Sequence, residues 1–184
     1  MSDLTITLAG ESVTKKTGGE ILTPGKKLTQ MNVDVIDVTV AIDGGAYIAG
    51  EVFFIVTKIP NAVAVKGGSA ILQSVSAIGT STAGDDLGSF DLILTSDSTV
   101  ISAAINTVPS ANTDVLATMD GTLGKVSITN MIDAGVCMIG NKANIGMVCK
   151  AEAASRSLHV FGIARSTDDY EQGSAILRLG FVKD

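Results

Sequence analysis

Apolar residues alternate with polar ones at a period of two in segment after segment, and no other feature of the sequence constrains the fold as tightly. Leu4, Ile6 and Leu8 alternate with Thr5 and Thr7; Phe90, Leu92 and Leu94 with Ser89, Asp91 and Ile93; Leu177, Leu179 and Phe181 with Ile176, Arg178 and Gly180. Successive side chains of an extended chain point to opposite faces, so each segment reads as a strand with one core-facing side. Further strands are expected at Val33–Ile42, Tyr47–Ile59, Ala70–Ile78, Val100–Ile105, Gly124–Ile128, Ile145–Glu152 and Leu158–Arg165. Several of these hold enough Val and Ile to be buried on both faces, Val52–Val56 among them.

Turn signals punctuate the strands. Asp43-Gly44-Gly45 and Lys66-Gly67-Gly68 each divide two of them, and Asp120-Gly121 is the residue pair favoured by a type I′ hairpin. No segment carries a long stripe of 3.6-residue period with capping signals; Asp114–Met119 and Thr129–Ala134 each have room for one turn of helix. About ten short strands with such punctuation predict an all-β fold, an antiparallel β-sandwich of jelly-roll-like type. The segment from Gly10 to Gln30 lacks the alternation and holds four Gly, one Pro and clustered Lys and Thr. It is read as an extended arm or long loop, which divides the chain into an N-terminal strand plus arm over 1–32 and a sandwich domain over 33–184.

Composition then narrows function. The chain is 46% hydrophobic with a mean hydropathy of +0.40, only 17% charged, and has no Trp. The longest apolar run, near Phe53, is far too short to cross a bilayer, and the N-terminus has no basic leader followed by an apolar stretch. A soluble product made in the cytoplasm is the expectation. A chain this apolar must bury much of its surface, and contact with other subunits is one way to do so. Net charge is -6 with a pI near 4.7, which disfavours nucleic acid and anionic membrane as partners. Within residues 1–30, however, Lys15, Lys16, Lys26 and Lys27 outnumber Asp3, Glu11 and Glu20. These four lysines are candidate contacts to an acidic neighbour, and Phe53 and Phe54, on the doubly apolar strand, are candidate contacts to a partner.

No constellation of residues carries chemistry. His159, the sole histidine, has no local nucleophile or orienting partner and reads as a strand residue at a surface or interface. Cys137 and Cys149 lie twelve residues apart in apolar runs, without a His pair, which fits buried free thiols better than a zinc site or a disulfide framework, a cross-strand bridge between the two being the alternative. Asp85-Asp86 and Asp168-Asp169-Tyr170-Glu171 lack the carboxylate ladder and Gly of a calcium loop and read as solvated acidic loops. Gly79-Thr80-Ser81-Thr82-Ala83-Gly84 has the small residues of a phosphate loop but no following Lys. The expectation is a protein with no catalytic residue, no metal and no cofactor.

The last third of the chain carries a resemblance. Asn144-Ile145-Gly146-Met147-Val148-Cys149-Lys150-Ala151, Ser157-Leu158-His159-Val160-Phe161-Gly162-Ile163-Ala164-Arg165 and the terminal Ser174-Ala175-Ile176-Leu177-Arg178-Leu179-Gly180-Phe181-Val182-Lys183-Asp184 resemble the ending of tailed-bacteriophage capsid decoration, or cement, proteins. The strand Ser89-Phe90-Asp91-Leu92-Ile93-Leu94 is similar to their central strand. The resemblance covers residues 65–184, and His159 stands where the pattern usually has Tyr. It implies a structural virion protein on the capsid surface, made in the host cytoplasm. Its partners would be the major capsid protein and further copies of itself, as a dimer or trimer, and the resemblance transfers no catalytic residue. The alternative is a receptor- or glycan-binding sandwich of a phage fibre or tail, although the chain is poor in the aromatic platforms that sugars stack on. An enzyme built from scattered carboxylates such as Asp168, Asp169 and Glu171 ranks third.

Overall fold

The computed structural model describes residues 4–8, 11–15, 21–23, 26–27, 32–79, 88–98, 101–109, 121–134, 137–170 and 172–183. The chain divides into two compact units, Met1–Met31 and Asn32–Asp184. In the first, β1 (Leu4–Leu8), β2 (Glu11–Lys15), β3 (Ile21–Thr23) and β4 (Lys26–Lys27) pair in sequence order as an antiparallel sheet. The segment read as an extended arm therefore holds three short strands. Neighbouring segments can satisfy each other's backbone groups even where no apolar alternation marks a core face.

The second unit is a sandwich of two antiparallel sheets, as the alternation predicts. Its strands are β5 (Asn32–Ile42), β6 (Gly45–Tyr47), β7 (Val52–Ile59), β8 (Ser69–Gly79), β9 (Phe90–Thr95), β10 (Thr122–Ile128), β11 (Met131–Asp133), β12 (Met138–Lys150), β13 (Leu158–Ala164), β14 (Asp168–Tyr170) and β15 (Gly173–Lys183). One sheet has the order β10-β9-β13-β7 and the other β11-β12-β8-β15-β5, while β14 and β6 form a separate ribbon. The inner faces meet in one core. Phe90, Leu92 and Leu94 from β9 and Leu158 and Val160 from β13 are buried on one side, with Val38 and Val40 from β5 and Leu177, Leu179 and Phe181 from β15 on the other. Each such side chain, fully buried, contributes about 1.5–3 kcal/mol.

Bulges decide which residues reach this core. In β8, Phe181 pairs with Leu72 and Gly180 with Ser74, so Gln73 is the extra residue. The core positions switch there from Ala70 and Leu72 to Val75 and Ala77. In β12 three residues separate the paired Ala143 and Met147, with Asn144 and Gly146 at φ 56 and 66, and the core face shifts from Met138 to Met147 and Cys149. An odd insertion reverses the phase of every side chain beyond it.

Phe53 and Phe54 are placed by the same device. Gly162 pairs with Phe54 and Ile163 with Val52, which leaves Phe53 as the bulged residue and turns two consecutive aromatics inward. Both are only 1% exposed, and they pack with Tyr47 and Phe90 in an aromatic cluster. The expected partner-facing position is corrected: these rings lie inside the sandwich. Val52 is buried as well, whereas Ile55 on the same strand is exposed.

Several boundaries also differ from the expectations. The span 47–59 is interrupted at Gly50, where φ is 99 and the chain turns between β6 and β7. Residues 101–105 form no strand. Instead Asn106 and Thr107, just beyond them, exchange backbone hydrogen bonds with Val52 at 2.9 and 3.0 Å and cover part of the β7 edge. The span 129–134 holds strand β11 and no helical turn. Gly121 immediately precedes β10, and its neighbour Asp120 in the expected hairpin turn lies outside the described residues. Residues 168–170, read as an acidic loop, form β14 against β6. Residues 80–87, 110–120 and 171 lie outside the described residues, and with them Asp85-Asp86, most of the glycine-rich segment, Asp114–Met119 and Glu171.

Candidate interaction surface

The solvent face of the five-stranded sheet is built by residues out of phase with the core. On β5 these are Val33, Val35, Asp37, Thr39 and Ala41; on β15, Ser174, Ile176, Arg178, Gly180 and Val182. The register across the sheet gathers them into rows. At one end Val33 pairs with Val182, Val182 with Ile71, and Ile71 with Val148, an apolar row across four strands. At the other end Ile176 pairs with Ile78, Ile78 with Ile139, and Ile139 with Ile132. Val33 is 73% exposed, Val148 66% and Ile132 68%, so both ends of the first row and one end of the second stand in water.

Between the rows lie two of different character. Gly180, Ser74 and Ala143 keep the surface low beside the exposed Val35, and a Cβ added at Gly180 would meet Ser74 Oγ at 2.5 Å. Asp37, Arg178, Ser76 and Asn141 make the polar centre. There Arg178 donates from Nε and Nη2 to both Asp37 carboxylate oxygens at 2.9 and 2.8 Å. Hydrogen bonding and charge from Arg178 hold the Asp37 carboxyl below the usual carboxylate range.

Scattered exposed aliphatics are ordinary on a protein surface, but contiguous rows of them mark an interaction site. The corresponding face of the four-stranded sheet carries an ionic cluster instead. Asp91 accepts from Lys125 Nζ at 3.0 Å and Arg165 Nη1 at 2.9 Å, and Arg165 also donates to Ser127 Oγ. Burial pushes the Asp91 carboxyl up, and the hydrogen bonds from Ser127, Arg165 and Lys125 more than reverse it, so it lies below its ordinary value. A carboxylate so depressed contributes stability in full above its unfolded-state pKa and loses it as pH falls through the lower folded value. Asp91→Asn is therefore expected to cost about 1–2 kcal/mol at pH 7, the pairs being partly solvent-screened. Guanidinium denaturation across an acid titration should show variant and wild type converging once Asp91 is protonated; a gap that persists would refute this.

The remaining candidate residues are placed as follows. Lys15 lies in β2 and Lys26 and Lys27 form β4, while Lys16 is outside the described residues. His159 sits within β13, between Thr95 of β9 and Lys58 of β7, half-buried, with its Nδ1 enclosed and without a hydrogen-bond partner. Burial is the main cause lowering its pKa, which favours neutral imidazole. Cys149 is buried and Cys137 partly so, both as free thiols; burial pushes the Cys149 thiol up to about 11. Lys183 is 7% exposed and donates to the Asp34 carboxylate and to the backbone oxygen of Asn61. Among the described residues no three His, Cys, Asp or Glu side chains come together as a metal site. Sequence reasoning missed Val33, Val148 and Ile132, because their adjacency depends on register.

No family model matches the chain, and no curated protein matches it in sequence. Among solved structures it aligns with a chain of Desmodium yellow mottle tymovirus at 13% identity and a TM-score of 0.27, over 88% of this chain and 91% of that one. It also aligns with infectious bursal disease virus, Gx strain, at 14% identity and a TM-score of 0.32, over 96% of this chain but only 43% of that one. Scores this low do not establish a shared fold.

Proposed function

We propose that this chain is a structural virion protein, a capsid decoration (cement) protein that binds the outside of a phage head and stabilises contacts between major capsid protein subunits. The observation that carries this reading is the solvent face of the five-stranded sheet, with Val33, Val148 and Ile132 standing in water at the ends of contiguous apolar rows. A surface of that kind serves protein contact. The resemblance over residues 65–184 supports decoration proteins as the class. Cementing suits such a molecule because many copies acting together multiply individually weak contacts. The cations Lys15, Lys16, Lys26 and Lys27 would meet acidic patches of the shell, against the negative sign of the rest of the chain.

The glycan-binding alternative finds less support. All five Phe and Tyr47 are buried, so among the described side chains no aromatic platform faces solvent. Tyr47 donates its hydroxyl to the backbone oxygen of Asp43, and burial pushes its pKa up to about 12.

Cosedimentation of the purified chain with expanded heads that lack it tests the proposal. Saturable binding is expected, with at least a tenfold loss on combined Lys15→Glu, Lys16→Glu, Lys26→Glu and Lys27→Glu, since each cation at a charged contact contributes of order 1 kcal/mol or less. Absence of binding to expanded heads at high micromolar chain would overturn it.

A further inference from the structure

We infer that the solvent face of the five-stranded sheet docks on the same face of a second copy of this chain, sheet against sheet. This deepens the interface reading above by naming one partner and the surface it uses. With this face used between copies, contact with the shell rests on the lysines proposed above.

Charge singles out a second copy. The chain carries a net charge of -6, yet the polar centre of this face is an internally neutralised Asp37–Arg178 pair. Two copies meeting here avoid the repulsion that their net charge imposes elsewhere. A strongly acidic partner would find no excess of cations among these central residues, and a basic one no excess of anions.

Pattern fixes the geometry. Two identical faces must be related by a two-fold axis lying in the plane between them. An axis running across the strands through the polar row would lay Arg178 on the other copy's Arg178 and Asp37 on its Asp37, and one midway between the two apolar rows would press the ion pair onto Gly180 and Val35. An axis parallel to the strands, between β8 and β15, reverses the strand order and keeps each row at its own end. It lays apolar row on apolar row, with Val33 over the second copy's Val148, and sets the Asp37–Arg178 pair over Asn141 and Ser76, so that no like charges meet. The small inclination that sheet twist imposes on stacked sheets leaves these rows in contact. The four strands that overlap, by six residues, cover roughly 400 Å² per copy from strand spacing and rise. That is below the ~800 Å² per partner of a standard stable interface, so the dimer should be reversible, with a dissociation constant in the micromolar range.

Sedimentation velocity of the full chain, without capsids, from low micromolar to several hundred micromolar provides the test. A concentration-dependent monomer–dimer equilibrium is expected. Val33→Asp and Val148→Lys should each weaken it by at least tenfold with unchanged melting temperature, since both side chains are largely exposed. Mixing the two variants should restore dimerisation, because one of the two Val33–Val148 contacts becomes Asp on Lys and the other stays wild type. A chain monomeric at several hundred micromolar, variants that dimerise as the wild type does, or a mixture that stays monomeric overturns the inference. The readout is independent of the shell: a dimer that fails to bind heads sinks the decoration role alone, and a monomer that binds them sinks the dimer alone.

Discussion

Phe53→Ala is expected to lower the unfolding free energy by about 3–5 kcal/mol, the range for truncating a fully buried aromatic. The ring touches Phe90 at a centroid distance of 5.0 Å, Tyr47 edge-on at 5.6 Å and Phe54 at 6.0 Å, so its loss empties the middle of a cluster and not its margin. Each aromatic pair adds about 0.5–1.5 kcal/mol beyond area burial, which places the expectation toward the upper part of that range. For a chain of this size the melting temperature should fall by roughly 10 °C. The same variant separates the two roles that Phe53 could have. A core residue loses stability, and whatever protein remains folded at low temperature still binds its partner with wild-type affinity. A partner-contact residue would show the reverse, with weakened binding and an unchanged melting temperature, and that result would contradict the packing described here.

The sandwich was legible in the sequence wherever one strand face is buried without interruption. Phe90, Leu92 and Leu94 and Leu177, Leu179 and Phe181 keep a strict period of two, and all six are buried where that period puts them. Legibility fails at the bulges. Val52, Phe53 and Phe54 read as a strand apolar on both sides, but the extra residue at Phe53 sends consecutive rings into one core. Ile101 and Ile105 belong to a segment that reads as a strand, yet pairing reaches only Asn106 and Thr107, at the edge of β7. Propensity cannot say whether a partner strand is available. The proposed interaction surface was hidden for a related reason. Val33 and Val148 are 115 positions apart, and only the register through β15 and β8 puts them in one row. Alternation assigns a residue to a face; neighbours on that face come from strand order, which the sequence pattern leaves open.

Gly162 joins a sequence motif to the core, and its substitution has the second large expected effect. A Cβ at this position would lie 2.3 Å from Phe54 Cε1 and 2.5 Å from Cδ1. Carbon atoms in ordinary contact are about 3.5–4.0 Å apart, so the ring must retreat by more than an ångström. It has little room, being 1% exposed and packed edge-on against Phe53 and Phe90. Gly162→Ala should therefore cost about 3 kcal/mol, at the upper end for one added methyl in a filled core. Phe54→Leu alone should also destabilise, by about 1–2 kcal/mol, through lost volume. The decisive variant is the double one. If the ring is what excludes a side chain at 162, Gly162→Ala with Phe54→Leu will be more stable than the sum of the single effects predicts, by about 1–3 kcal/mol, as residues in direct contact couple. Denaturant unfolding of the four proteins measures that coupling. Strict additivity would mean that glycine is required there by the backbone of the β7–β13 bulge and not by Phe54.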